Sequence, residues 1–261
     1  MDLKFRTTSW NLIRVSRESQ KHAIALICLP PAGGGLATFS KWVKLLPPSI
    51  ELWAVQPAHR NSAAEEITAT SFADLLAHLI TECDKVQNLP CALFGHSLGG
   101  LVALELARHY TSNGKPIRHL FLSGICAPQN LRSTLSFRST MTNSELLQFL
   151  TDTGGVDPQL LQVTEFKDTI LEALRSDLQV LESYCPCAPT PPSCPISLLF
   201  GDQDPCASQK EQVEWETNLG MPLRAHTFAG RHFFIRDSAN QVTRFIVDTL
   251  ESSLKNRSWK W

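Results

Sequence analysis

Apolar residues fall in short unbroken runs, and between the runs the apolar period changes to that of a helix. AIALICLP (residues 23–30) is apolar throughout and stops at prolines, which predicts a buried strand. IELWAV (50–55), CALFG (91–95), IRHLFLSG (117–124), PISLLFG (195–201) and LRAHTF (223–228) predict further strands. FSKWVKLL sets Phe39, Trp42, Val43 and Leu46 on one helical face. SFADLLAHLITEC opens at Ser71, a capping residue, and repeats Phe72, Leu75, Leu76 and Leu79 at helical spacing. Helices over Leu98–His109, Gln209–Asn218 and Asn240–Leu254 continue the alternation. Short apolar strands alternating with helices predict an α/β fold: a mostly parallel central sheet with helices on both faces.

One interval breaks the alternation. No strand is expected between Ile125 and Pro195, a span too long for an ordinary connection. It holds helices instead. Thr142 and Glu145 form a capping box before LLQFL, and Phe166, Ile170, Leu174, Leu178 and Leu181 make one apolar stripe. The expected organisation is a single domain over residues 1–261, with a helical lid insertion over about 126–194 that lies on the carboxyl edge of the sheet. PCAPTPPSCP (186–195) reads as a stiff connector back to the sheet.

Composition narrows the function classes. The net charge of −1 offers no broad basic field for nucleic acid. No apolar run reaches membrane-spanning length, and MDLKFRTTSW lacks the apolar core of a signal peptide, so a cytoplasmic location is expected. The eight cysteines then read as free thiols. Cys28, Cys83, Cys91 and Cys126 lie in or beside apolar stretches, as small core residues do, whereas Cys185, Cys187, Cys194 and Cys206 are more polar in context. No C-x-x-C pair occurs, so no metal site is expected.

The chemistry gathers around ALFGHSLGG. Gly95-His96-Ser97-Leu98-Gly99 is a G-x-S-x-G elbow between an expected strand and an expected helix. Such an elbow strains the backbone at the serine and lifts its hydroxyl clear of the sheet edge. Side chains two residues away would collide there, hence Gly95 and Gly99. A serine needs a base to become a nucleophile, and folds with this elbow run serine, acid, histidine in chain order. His226 lies inside a strand, but His232 lies on the loop after it, at the correct edge. His96 is expected to pack or bond locally. For the acid, FGDQDPCAS holds Asp202 and Asp204. Asp204, four residues past the strand and held extended by Pro205, is the favoured one, and Asp202 is then a turn residue. Oxyanion donors are expected from the amide of Leu98 and from the loop CLPPAGGG, where Ala32 is the candidate because Pro30 and Pro31 have no N–H. That loop matches neither phosphate-binding glycine pattern.

CLPPAGGG, GHSLGG, FGDQDP and GRHFFI, with the lid segments TGGVDPQLLQ and ILEALRSDLQVLESY, resemble in order and spacing the type II thioesterases. These are stand-alone α/β-hydrolases that accompany nonribosomal peptide and polyketide synthases, and the animal medium-chain acyl carrier protein hydrolases are related to them. The resemblance covers about residues 20 to 252. It implies Ser97 as nucleophile, His232 as base and acid, Asp204 as the orienting carboxylate, and Ala32 and Leu98 as oxyanion donors. It implies an acyl thioester substrate on the phosphopantetheine arm of a carrier protein domain of a synthase, an editing or release role, and no cofactor or metal. One departure stands out: QPAHRN carries His59 where the family has glycine, with Arg60 after it. Arg60, Arg132 and Arg138 are candidates for a basic rim that steers an acidic carrier. A chain opening at Met1 without a carrier segment is expected to be an independent, monomeric protein. A small-molecule carboxylesterase or lipase, or a non-catalytic acyl-binding relative, stays open as an alternative.

Overall fold

Strands Trp10–Arg14 (β1), Ile24–Leu29 (β2), Ile50–Pro57 (β3), Cys91–His96 (β4), Leu120–Ser123 (β5), Ile196–Gly201 (β6) and Arg224–Phe228 (β7) form one sheet in a computed structural model of the chain. Their spatial order is β1-β3-β2-β4-β5-β6-β7. β1 is antiparallel to β3, and every other neighbouring pair is parallel. The structure describes residues 10–16, 21–57, 71–86, 89–115, 117–131, 138–157, 159–186 and 190–255. The helices are Trp42–Leu45 (α1), Phe72–Cys83 (α2), Leu98–Ser112 (α3), Asn143–Thr153 (α4), Thr164–Glu182 (α5), Glu211–Leu219 (α6), Phe234–Asp237 (α7) and Ala239–Lys255 (α8).

Period-two alternation decides which side chain faces which layer. On β2, Ala25, Ile27 and Leu29 pack with α2 and α3. Ile24, Leu26 and Cys28 face the other way, onto Phe39, Trp42 and the Val242, Ile246 and Leu250 ridge of α8. With both faces covered, every residue of β2 is buried, which is why it reads as a continuous apolar run. Each such aliphatic side chain contributes about 1.5–3 kcal/mol by leaving water.

Local signals act as expected at several helix ends. The Ser71 hydroxyl accepts from the Asp74 amide at 3.2 Å. Thr142 and Glu145 close a reciprocal capping box on α4. Between β5 and β6, α4 and α5 bury Leu146, Leu150, Leu171, Leu174, Leu178 and Leu181 against the layer that covers β2.

The structure differs from the sequence pattern in four places. The 39–46 segment is not one helix: a 3-10 turn (Leu36–Phe39) precedes the single turn of α1. Leu46 precedes Pro47, which disfavours helical backbone, and it is extended with ψ 141°. Phe39 and Trp42 are buried all the same, and the Trp42 indole N–H donates to the Ile235 carbonyl at 3.0 Å. The IRHLFLSG run is a strand only over Leu120–Ser123. β1 has no counterpart in the apolar pattern, because an edge strand with a single buried residue carries little apolar signal. Cys194, expected in a polar setting, is buried in the core just before β6. Among the described residues the cysteines are free thiols.

Candidate active site

The carboxyl ends of β2, β4, β6 and β7 lie along one edge of the sheet, and the candidate residues follow them. Ser97 joins β4 to α3 with φ 55° and ψ −121°. Among the described residues it is the one non-glycine residue at positive φ. Such a conformation costs on the order of 1–3 kcal/mol and persists only when its surroundings enforce it. Here the Ser97 amide donates to the Ser123 carbonyl at 2.8 Å, and the Gly100 amide donates to the Ser97 carbonyl at 2.8 Å. A Cβ on Gly95 would lie 2.0 Å from the Gly99 carbonyl oxygen, and one on Gly99 would lie 2.2 Å from the Leu29 oxygen. Backbone therefore touches backbone on both sides of the serine, and no larger residue fits.

His232 sits on the loop between β7 and α7. Its Nδ1 lies 3.0 Å from Oδ1 and 2.9 Å from Oδ2 of Asp204, so Nδ1–H donates into the carboxylate. The Asp204 and His232 side chains are almost wholly buried, at 0% and 3% exposure. Asp204 Oδ1 also accepts from the amides of Cys206 (2.8 Å) and Ala207 (3.4 Å), which fixes the carboxylate plane. Asp202 is elsewhere: its Oδ1 accepts from the Gly230 amide at 2.8 Å and shapes the turn before His232. His226 stacks on Phe245 with ring centroids 4.1 Å apart.

Burial by itself would lower the His232 pKa. Hydrogen bonding to Asp204, with Cys206 and the Asp204 charge adding, outweighs it, and the pKa is raised above 6.5. His96 shows the opposite behaviour. Burial first, and the nearby His232 second, hold its pKa well below 6.5, so it is neutral. Its ring lies 4.7 Å from the His232 ring, and its Nδ1 is 2.9 Å from the Ser123 hydroxyl. The residue before Ser97 thus forms one wall for the imidazole of His232.

The loop after β2 is held from three directions. The Gly34 amide donates to the Pro31 carbonyl at 2.8 Å, and the Leu36 amide to Gln56 Oε1 at 2.9 Å. The Gly33 amide donates to Asp177 Oδ2 of α5 at 2.7 Å. These bonds engage neighbours of the Ala32 amide. Leu98 is the first residue of α3, and a helix leaves its first amides without intrahelical acceptors. The amino end of that helix also favours negative charge.

A cavity of about 600 Å³ opens beside this loop, lined chiefly by apolar groups of α4, α5 and the loop, among them Leu150, Phe166 and Ile170, and by Phe233 just before α7. Arg236 braces its wall. The guanidinium lies 4.6 Å over the Phe233 ring and donates to the carbonyls of Gly154 and Gly155 at the end of α4.

A family model for the thioesterase domain matches residues 25–250. The chain belongs to the thioesterase family. It is similar to thioesterase PikA5 of Streptomyces venezuelae, 31% identical over 240 residues that cover 91% of this chain and 85% of that one. It is also similar to the gramicidin S biosynthesis protein GrsT of Aneurinibacillus migulanus, 29% identical over 87% of this chain and 89% of that one. Among solved structures, the type II thioesterase BorB from the borrelidin biosynthetic cluster superposes with a TM-score of 0.79 at 30% identity, covering 92% of this chain and 97% of that one. The fold is of the α/β-hydrolase type, and the enzyme is a hydrolase acting on thioesters. The resemblance read from the motifs therefore holds.

Several residues of this thioesterase that shape the site carry no motif of their own. Asp177 was legible only as a carboxylate on the buried face of an amphipathic helix, between Leu174 and Leu181. Gly124 has φ +57°, and a Cβ there would meet His96 Cε1 at 2.6 Å and His232 Cε1 at 3.2 Å. Gln56 and Cys206 gave no signal as site residues. His59, Arg60 and Arg132 lie outside the described residues, as does Cys187. Arg138 is partly buried at the start of the segment leading to α4. Among the described residues, no helix is long and apolar enough to cross a membrane.

Proposed function

We propose that this thioesterase hydrolyses acyl groups from the phosphopantetheine arm of carrier protein domains, working as a cytoplasmic editing or release enzyme beside a nonribosomal peptide or polyketide synthase. Ser97 is the nucleophile, His232 the base and acid, and Asp204 the carboxylate that orients it. The amides of Ala32 and Leu98 receive the oxyanion. The observation that carries this reading is the His232 Nδ1 contact with both Asp204 oxygens, at 3.0 and 2.9 Å, with the His232 ring 4.7 Å from that of His96, the residue before a serine on a strained elbow.

Each proton has a place. Asp204 accepts from Nδ1, so Nε2 carries the lone pair. Ser97 Oγ attacks the thioester carbonyl carbon and its proton passes to Nε2. The carbonyl oxygen becomes an oxyanion and bonds to the two amides. As the carbon–sulfur bond breaks, Nε2–H returns the proton to the pantetheine sulfur. A water then attacks the acyl-serine, gives its proton to Nε2, and releases the carboxylic acid as Ser97 takes the proton back. A thiolate leaves more readily than an amine, so little leaving-group protonation is required.

The chain is read as a single domain in which the helices between β5 and β6 act as a lid. The apolar cavity beneath them is suited to an acyl chain. The test compares acyl carrier protein, acyl coenzyme A and simple ester substrates, alongside labelling by a fluorophosphonate. Preferred turnover of carrier-bound acyl groups with labelling at Ser97 supports the reading. Preference for simple esters would make this an esterase, and a folded protein that resists labelling would remove the serine mechanism.

A further inference from the structure

The loop that delivers Asp204 carries a thiol that hydrolysis does not use. Cys206 is partly exposed, and its sulfur, a carboxylate oxygen of Asp204 and a ring nitrogen of His232 all lie within 4.8 Å of one another. Among the described residues this is the one grouping of histidine, cysteine and carboxylate with metal-ligand spacing. The absence of a C-x-x-C pair predicts no metal site, and spacing of that kind does not register ligands that come from loops 28 residues apart in sequence.

We propose that Asp204, Cys206 and His232 form a zinc site, and that zinc bound there switches the hydrolase off reversibly. The donor set is one sulfur, one nitrogen and one oxygen, which suits zinc and leaves a fourth position for water. Zinc–ligand bonds of about 2.0–2.3 Å place tetrahedral ligands roughly 3.2–3.8 Å apart. The Nδ1–Oδ2 distance of 2.9 Å needs to open by a few tenths of an ångström, and the sulfur, within 4.8 Å of both partners, needs to close by no more than about one. The carboxylate is already oriented by the amides of Cys206 and Ala207, as ligands commonly are by outer partners. Charge also balances: the carboxylate and thiolate neutralise the dication, beside two side chains, Asp204 and His232, that are almost wholly buried.

The proton balance explains the inhibition. On binding, the thiol loses its proton to solvent, and Nδ1 exchanges its proton for the metal. The ring's one proton moves from Nδ1 to Nε2, and the neutral imidazole then carries it there. Nε2 is the atom that must accept from Ser97, so a metallated His232 has no lone pair to serve as base. Removing zinc lets the proton return to Nδ1.

The test uses the full chain with a non-chelating phosphine reductant. Cobalt(II) serves as the spectroscopic probe, and buffered zinc as the inhibitor of thioester hydrolysis. The wild type should show a thiolate-to-cobalt charge-transfer band that Cys206→Ser and Cys206→Ala both lose. Without metal, each variant's own rate sets the baseline against which its zinc inhibition is read. Their zinc inhibition midpoint should rise by about tenfold or more, the scale on which even outer-shell changes act. A chelator should restore wild-type activity. Ser97→Ala should keep the cobalt band, which separates this inference from the hydrolytic reading of the same histidine. A wild-type protein without the band, or equal zinc midpoints in wild type and Cys206→Ser, would overturn the proposal.

Discussion

The backbone amide of Gly33 donates to the carboxylate of Asp177 at 2.7 Å, which ties the loop after β2 to helix α5 across 144 residues of sequence. Asp177 is 1% exposed, and the bond to Gly33 is partly buried. A hydrogen bond to a charged group contributes about 1.5–3 kcal/mol, against about 1 for a neutral one. It holds the peptide next to the Ala32 amide, and a helix of the proposed lid thus holds the proposed oxyanion loop in shape.

Asp177→Ala should therefore lower kcat about tenfold to a hundredfold while KM changes little, because the loop matters most when charge develops on the oxygen. Asp177→Asn keeps an acceptor and should fall between. Steady-state kinetics, with circular dichroism to verify folding, decide it. An unchanged kcat in Asp177→Ala would show that the loop holds its shape unaided.

Substitutions at Ser97 should separate chemistry from strain. Ser97→Ala should lose several powers of ten in turnover, and a residue of more than about a tenth would rule out a covalent mechanism. Ser97→Gly should be equally inactive but melt higher than Ser97→Ala, since glycine tolerates φ 55° without the steric cost. Thermal melting of the two variants gives the comparison.

The two aspartates of FGDQDP should behave differently. Asp204→Asn presents a donor or a weaker acceptor to Nδ1 and favours the wrong tautomer, with a loss of about a thousand-fold or more. In Asp202→Asn an amide oxygen still accepts from Gly230, so turnover should stay within a few-fold of wild type. If the larger loss fell on Asp202, the roles would be exchanged.

The pH profile should report His232. The base must be neutral, and its pKa is raised above 6.5, so kcat/KM falls as pH drops through a value above 6.5. Replacing Asp204 by asparagine removes the larger of the two raising partners and leaves Cys206 against burial, which lowers the pKa, so the acid limb should move to lower pH. Initial rates across pH for both proteins test this. A wild-type limb at or below 6.5 would contradict it.

Gly124→Ala should damage catalysis more than folding. Its φ of +57° disfavours alanine, and the new methyl would press on the rings of both His96 and His232. The expected result is a loss in kcat of about tenfold or more with a modest drop in melting temperature. Equal activity to wild type would mean that the histidine pair shifts freely.

Elements with strong local signals were legible in the chain. β2 and β6 are buried on both faces and so read as unbroken apolar runs, and α2 and α4 announce themselves through Ser71 and the Thr142–Glu145 box. The elbow was legible too, because steric exclusion at Gly95 and Gly99 acts between residues close in sequence. The alternation of strand and helix was enough to imply the parallel sheet, and the order of serine, acid and histidine was enough to put candidate groups on one edge. What tertiary structure decided is different in kind. That Asp204 rather than Asp202 faces His232 depends on how a loop turns after β6. That Asp177 reaches Gly33, that Cys206 lies beside the imidazole, and that β1 closes the sheet's edge all depend on contacts between distant segments. Sequence periodicity reports which face of an element is buried, because burial follows the period of that element alone. It carries no information on what the buried face meets, since that is set only when the layers pack.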